Sequence, residues 1–507
     1  MAMTLSLQDM MRTLCQLPDL AFNSGLMPQL TLLVAGLLLV LLVAIDTRGR
    51  YRAICKLGEL ALLTSAVTAA AGLYAVLDQG FAISKSTSLL VVTPLSLLFC
   101  TVIPLLSLAC LATSVRWLKH QDLAKGELVL LVLFANLGMQ LMVSANHFLM
   151  LYLGLELQAL SFYVLAAFAR DNRQSAEAGL KYFLLGSLAS GFLLFGIAML
   201  YGASGTLDFA AVAQYLNSGG LTLLDQAALL FVLAGMAFKL AAVPFHLWTP
   251  DVYDGAPTPV TMLFATAGKA ASVALLIVVL HGPLRPLMGQ WQPLLAVLAL
   301  ASLVIGALGA LRQERLKRLL GFSAIAQAGY MLLGLVVGVD ALPALLLFVF
   351  IYAVASVGAF TVLLAFVKQG TDGATTPINT IADLRGLAAN HPAWAAGFAL
   401  FMLSLAGIPP LAGFWSKLYL LLAAFAHGHL LLTLTALLAT VIGSFYYLKV
   451  AKAVYIDPIA EHQLPLRRDA SAAAVIVALL SVLLTVGLML GLTPTMKFLT
   501  NVVHASF

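Results

Sequence analysis

Charge is scarce in this chain. Asp, Glu, Lys and Arg make up 9% of its 507 residues, against about a quarter in soluble domains. That shortage excludes a soluble multidomain protein, because too little polar surface remains to cover an apolar core. Cysteine is scarce as well. Cys15, Cys55, Cys100 and Cys110 have no CxxC spacing, and two of them lie deep in apolar runs, so they read as small packing residues rather than metal ligands or disulfide partners. No Gly-rich GxGxxG loop follows a strand-like run, which argues against a bound dinucleotide. No basic cluster is interleaved with aromatics, so the net charge of +6 does not point to nucleic acid.

Apolar length is what the chain has in abundance. Hydrophobic residues make up 62% of it and the mean hydropathy is +1.02, so the bilayer is its solvent. The run Pro28 to Ile45 follows a weakly charged leader and precedes Asp46, Thr47 and Arg48 with no small-residue cleavage site, which predicts a retained helix rather than a signal peptide. Runs of about 20 apolar residues, each able to cross about 30 Å of hydrocarbon, fall near 28–46, 54–78, 88–115, 127–145, 147–169, 174–203 and 222–248. The second half adds 257–280, 291–311, 319–339, 342–367, 393–424, 429–454 and 470–492. The expectation is an all-α polytopic membrane protein of about fourteen transmembrane helices.

Basic residues test that map. Arg48, Arg50, Arg52 and Lys56, then Arg116, Lys119 and Lys125, then Arg170 and Arg173 fall in alternate connections, and so do Arg312, Arg315, Lys317 and Arg318, then Lys368 and Arg385, then Arg467 and Arg468. The remaining connections and both ends hold only Arg12, Lys85, Arg285 and Lys497. By the positive-inside rule the basic connections are cytoplasmic, which predicts an even number of helices with both termini outside the cytoplasm. Residues 249–257 dissent, because they carry Asp251 and Asp254 without Lys or Arg.

Some charges cannot escape to water. A group about ten residues into a span sits near mid-membrane. By that measure Lys269 lies at mid-membrane depth, Lys239 and Lys417 approach it, Lys181 is at a depth similar to Lys417, and Glu156 is the one deep acid. Lys449 and Lys452 lie at a helix end and reach the interface. Insertion scales place a central Lys or Asp at about +2.5 to +3.5 kcal/mol, so four or five such groups cost on the order of 10 kcal/mol uncompensated. A buried Glu156–Lys181 pair that fixes packing is the bland reading, and it leaves three lysines unexplained. The functional reading is a proton path, in which each desolvated lysine is neutral or charged according to whether a nearby carboxylate is ionised. Glu156 can pair with either Lys181 or Lys239.

Prolines mark the same places. Lys239 precedes Pro244 in GMAFKLAAVPFHLWTPD, and Lys417 follows Pro409 and Pro410 in LSLAGIPPLAGFWSKLYL. A proline inside a helix removes a backbone hydrogen bond, and at membrane depth that defect is tolerated only where protein or water covers it. The two interrupted helices run in opposite senses. They therefore predict two inverted five-helix repeats, 127–281 and 282–454, after an N-terminal three-helix segment at 1–126 and before a C-terminal helix and short tail at 455–507. His246, two residues past Pro244, is placed either to relay protons to water or simply to pack. Tyr182, Tyr330, Ser187, Ser323 and Gln327 suit water chains but equally serve as interhelical glue.

The stretch KLAAVPFHLWTPDVYDGAPTP from Lys239 closely resembles the antiporter-like membrane subunits of respiratory complex I. So do LGLELQALSFYVLAAF around Glu156, EAGLKYFLLGSLASGFLLFG around Lys181, ERLKRLLGFSAIAQAGYMLLGL from Glu314 and SLAGIPPLAGFWSKLY around Lys417. The resemblance implies a helix glutamate at Glu156, a pairing lysine at Lys181 or Lys239, a central lysine at Lys269 and an exit-side lysine at Lys417. It also implies that the chain itself binds no cofactor, with NADH, FMN, iron–sulfur clusters and quinone held by partner subunits of an NADH:quinone oxidoreductase, and that its own part is proton translocation without redox chemistry. Lysine at 417, and a C-terminus without a long amphipathic arm, separate it from two other branches of that family. Three competing readings are a subunit of a multisubunit cation/proton antiporter, a solute carrier and a membrane scaffold. The solute carrier lacks a ligand-sized polar cluster at the midplane.

Overall fold

The computed structural model describes residues 25–45, 49–79, 88–219, 221–369, 375–459 and 464–507. Arg12, Cys15, Asp46, Thr47, Arg48 and Lys85 lie outside the described residues. The helices that matter for the site are α1 (Met27–Ile45), α2 (Tyr51–Gln79), α3 (Pro94–His120), α4 (Gly126–Val143), α5 (Phe148–Ala166), α6 (Arg173–Ser204), α7 (Leu223–Leu240), α8 (Trp248–Gly255) and α9 (Thr258–His281). They continue with α10 (Met288–Leu311), α11 (Leu316–Val337), α12 (Leu342–Ala365), α13 (Pro392–Ala406), α14 (Ala412–Ala426), α15 (Leu430–Tyr455), α16 (Ala472–Leu490) and α17 (Leu492–His504). Among the described residues, 13 helices are long and apolar enough to cross a membrane. The shorter α13 and α14 meet at Pro409 and Pro410 and together occupy the stretch read as one further span, which accounts for the expected fourteen.

Local chemistry sets the ends of these helices. Thr93 caps α3 in a reciprocal capping box with Ser96, Asn172 caps α6, and Thr222 and Asp225 form the capping box of α7. Each box satisfies amides that a helix start leaves without partners. Small residues set the closest approaches. A Cβ on Gly138 of α4 would lie 2.5 Å from the Gly154 carbonyl of α5, so those backbones touch in the manner of small-residue seams between membrane helices.

Helices α9, α11 and α12 are almost wholly buried, whereas α1 and α16 expose most of their surface. Helix α12 (LPALLLFVFIYAVASVGAFTVLLA) carries no charge on any face, the pattern of a helix surrounded by other helices. These three helices lie in the interior of the bundle.

Three details differ from the sequence reading. A small antiparallel sheet, β1 (Phe366–Gln369), β2 (Thr375–Pro377) and β3 (Leu466–Arg468) in the order β2-β1-β3, pairs Val367 with Arg467 and with Pro377. It ties two basic connections together, and strands of three or four residues are too short to show a period. The stretch 249–257 is helical rather than looped, since α8 spans most of it. The C-terminal tail contains the amphipathic α17, which buries Leu499, Val502 and Val503, and Ser506 Oγ accepts from the Leu95 amide at 2.9 Å.

Candidate functional site

The first break runs from Ala241 to Leu247, between α7 and α8. Pro244 has no N–H, so the carbonyl four residues back, that of Leu240, loses its helical donor. Lys269 Nζ, buried on α9, donates to that oxygen instead. The neighbouring Lys239 carbonyl accepts from Ser272 Oγ, one turn along α9, at 3.1 Å. The freed Val243 amide donates to Ser302 Oγ of α10 at 2.9 Å, and Trp248 Nε1 donates to the Phe238 carbonyl at 3.1 Å. Ala241 ends α7 in the left-handed region at φ +62°, a conformation that costs a non-glycine residue about 1–2 kcal/mol. The surrounding side chains compensate by satisfying the exposed backbone.

The second break repeats the logic. Pro409 and Pro410 deprive the carbonyls of Leu405 and Ala406 of their donors, and Lys417 Nζ, buried on α14, donates to both, at 3.0 and 3.1 Å. Gly407, at φ +83°, closes α13. A Cβ there would come within 2.8 Å of Lys417 Cδ, so the absent side chain lets the lysine stem pass. In both breaks an ammonium sits at the C-terminal end of a half-helix, where the helix dipole is negative and favours a cation.

Lys239 is held differently. Its Nζ is buried with no hydrogen-bond partner, 5.7 Å from the Tyr163 ring centroid and 5.8 Å from that of Phe238. The carboxylate whose field acts on it is that of Glu156, although no ion pair within 4.0 Å joins them. Glu156 Oε1, the Tyr163 hydroxyl, the Ser190 hydroxyl and His246 Nδ1 are likewise buried without partners. Orphaned polar groups of this density are what buried water satisfies.

Lys181 has other partners. It bonds Glu177 and Asp251, each at 2.7 Å, and its side chain is 42% exposed. Arg318 of α11 reaches the same Asp251 at 2.5 Å, and Arg315 holds Asp254 at 2.8 Å. Lys181 is thus held by Glu177 of its own helix and Asp251 of α8. The acidic stretch that broke the charge pattern is neutralised by basic residues from α6 and α11.

Two small cavities lie in the interior between α9 and Lys417. Ala265, one turn before Lys269, borders a cavity of about 10 Å³ with Ser323, Tyr352 and Ser356. A second cavity of about 10 Å³ is bordered by Tyr352, Gln327, Ser404 and Lys417. Each has room for about one water. The Tyr447 hydroxyl hydrogen-bonds Ser323 Oγ and accepts from Gln327 Nε2 at 3.2 Å, and Gln327 also donates to Leu405 O at 3.2 Å. Tyr330 donates to the Ala436 carbonyl at 2.7 Å, with Lys417 Nζ 4.9 Å above its ring.

Sequence reasoning missed Lys317. It was grouped with a basic loop, yet it is buried and donates to the Ala256 carbonyl at 2.6 Å, at a polar cavity of about 410 Å³ that Lys125, Arg170, Asp254 and Asn379 also border. Ser272, Ser302 and Tyr447 were missed too. Their proximity to the breaks comes from helices distant in the sequence, and no local signal marks them.

Residues 145–443 match the family described as NADH:quinone oxidoreductase/Mrp antiporter, TM. The chain belongs to this family. The matched stretch holds both broken helices together with Glu156, Lys181, Lys239, His246, Lys269 and Lys417. Among related antiporter-family proteins, NADH-quinone oxidoreductase subunit N of Parvibaculum lavamentivorans is 39% identical over 436 residues, covering 86% of this chain and 88% of the relative. Subunit N 1 of Acidiphilium cryptum is 47% identical over 353 residues, 69% of this chain and 73% of the relative. A chain in the structure of respiratory complex I from Thermus thermophilus with bound aureothin superposes with a TM-score of 0.76 at 34% identity, covering 94% of this chain and 100% of that one. A chain of the Mrp complex from Dietzia sp., at 23% identity and a TM-score of 0.80, shares the fold.

Proposed function

We propose that this chain is the proton-translocating membrane subunit of a bacterial NADH:quinone oxidoreductase, a translocase part with no redox chemistry of its own. In this reading NADH, FMN, iron–sulfur clusters and quinone belong to partner subunits, and the chain lies in the inner membrane with both termini on the periplasmic side. The observation that carries the proposal is the pair of proline breaks whose orphaned carbonyls are bound by the buried ammoniums of Lys269 and Lys417. Residues 127–281 and 282–454 are then the two inverted repeats, each with its break in the fourth helix.

The physical steps follow from what holds each charge. Lys239 has no hydrogen-bond acceptor, so its ammonium depends on the field of ionised Glu156. Neutralising or displacing Glu156 removes that support and releases the proton into the polar interior. Lys269 receives it at the α7 carbonyls, one helical turn from Ser272. The hydroxyls and amide of Ser323, Tyr447 and Gln327 connect onward to Lys417, from which the proton leaves. Lys181 positions α8 by holding Asp251, and His246 lies at the edge of the break, where an imidazole exchanges protons with water.

The deciding experiment is purification in mild detergent followed by reconstitution. The proposal expects a complex with NADH:quinone activity that acidifies the vesicle lumen, and loss of that acidification in Lys239→Ala. A sodium-dependent exchanger without NADH oxidation would assign the chain to a multisubunit cation antiporter instead.

A further inference from the structure

The first four helices share a second set of buried polar side chains, apart from both proline breaks. Gln29 of α1, Ser65 of α2, Cys100 of α3, and Gln140 and Ser144 at the end of α4 are each at most 6% exposed. Gln29 Nε2 donates to Ser144 Oγ at 3.1 Å and lies 3.6 Å from Cys100 Sγ. Gln140 Nε2 donates to Ser65 Oγ at 2.9 Å and to the Cys100 carbonyl at 3.5 Å. Ser65 Oγ in turn donates to the Pro28 carbonyl at 3.0 Å. Asn136, one turn before Gln140, is buried as well, and steps of four put Asn136, Gln140 and Ser144 on one face of α4. By the helical rise that stripe runs about 12 Å into the bundle from the end of α4.

Each amide is only half satisfied. Gln29 Oε1, Asn136 Oδ1 and Gln140 Oε1 are buried with no hydrogen-bond partner. Neighbouring groups fix the orientation of two of them. Asn136 Nδ2 meets the Val132 carbonyl at 2.8 Å, and a carbonyl only accepts. Gln140 Nε2 meets the Cys100 carbonyl and a serine oxygen whose proton is spent on Pro28. In both side chains the free atom is therefore the oxygen. Ser144 and Cys100 can donate or accept, so Gln29 keeps one free polar atom whichever way its amide is turned. A buried acceptor without a donor is costly in hydrocarbon, and this set has no carboxylate to balance a bound ion. Water offers two donors and also accepts, which suits all three amides. We infer that the α1–α4 bundle binds ordered water, held by Gln29 and Gln140 around Cys100 and continuing to Asn136. That water seats the N-terminal helices on α4 by completing hydrogen bonds the side chains leave open. The site rests on these contacts alone and is independent of whether the chain moves protons.

The test is X-ray hydroxyl-radical footprinting of the whole complex, which activates bound water in place and so oxidises a buried thiol beside it. Cys110 is the internal control, because it is 3% exposed against 1% for Cys100 and its Sγ donates to the Pro259 carbonyl at 2.9 Å. Cys100 is expected to be oxidised several-fold faster than Cys110, and Gln140→Leu is expected to bring Cys100 down to the rate of Cys110. A cryo-EM map that resolves water should show density about 3 Å from Gln140 Oε1. Equal rates for the two thiols in the wild type, a Cys100 rate untouched by Gln140→Leu, or a map without that density would each overturn the assignment. The wild-type rates and the map decide the matter even where the variant fails to assemble.

Discussion

Lys269 Nζ donates to the carbonyl oxygen of Leu240, the acceptor whose helical donor is missing because residue 244 is proline. Lys417 does the same for Leu405 and Ala406 below Pro409 and Pro410. A buried charge and a broken backbone are each costly in a membrane, and here each removes part of the other's cost. A buried lysine placed this way is the structural support of its break. Charge and helix geometry are therefore coupled at both sites, while Lys239 bonds no carbonyl.

Lys417→Ala should lose pumping and also weaken the protein, because the Ala406 carbonyl loses its donor while Leu405 keeps Gln327. A buried orphaned acceptor costs about 1–3 kcal/mol, so a lower thermal midpoint of the assembled subunit is expected. An unchanged midpoint would show that the break is supported by other means.

Lys239→Ala should separate the two effects. Its Nζ makes no hydrogen bond, so the complex should assemble with little change in thermal midpoint while coupled proton pumping disappears. Proton-to-electron stoichiometry in reconstituted vesicles is the measurement, and a wild-type ratio removes Lys239 from the pathway.

Glu156→Gln keeps the shape and deletes the field that acts on Lys239. Pumping-linked electron transfer should slow, and the double variant with Lys239→Ala should be no slower than Lys239→Ala alone, as for two groups acting as one unit. Wild-type turnover in the single variant would sink the pairing.

Tyr447→Phe removes the hydroxyl shared by Ser323 and Gln327 without changing the ring. Proton transfer is expected to slow with assembly intact. Equal rates for the variant and the wild type would place the conducting line elsewhere.

Asp383 supplies a pH test outside the membrane. Burial opposes its ionisation, but the Thr380 and Asn379 amides, at 2.9 Å each, and Lys368, at 3.1 Å, outweigh that and hold its carboxyl below the ordinary 3.8. A depressed carboxylate contributes stability above its unfolded value and loses it as pH falls through the folded one. Amide exchange in β1 and β2 should therefore speed up in the wild type as pH drops below that ordinary value, after allowance for intrinsic exchange. Asp383→Asn should exchange faster at neutral pH and respond little to acid.

Much of this was readable along the chain. Spans, their number, the two interrupted helices and the deep groups Glu156, Lys239, Lys269 and Lys417 follow from hydropathy, depth and proline, because each is a property of about twenty consecutive residues meeting one solvent. Lys181 was legible as a charged group within a span, but its partners were not. Asp251 lies 70 residues away on a helix whose start no hydropathy window marks. Lys317 shows the converse, since a basic loop and a buried helix start look alike until the neighbouring backbone is in place.

Composition and order of residues dictated the membrane, the helices and where they break, since the bilayer enforces backbone pairing within each segment. Which ammonium meets which freed carbonyl, that Lys181 bonds Glu177 and Asp251, and that Ser323, Gln327 and Tyr447 share one node came from packing. Those contacts join helices far apart in the chain, and hydrogen bonds act over about 3 Å, a distance that no one-dimensional pattern encodes.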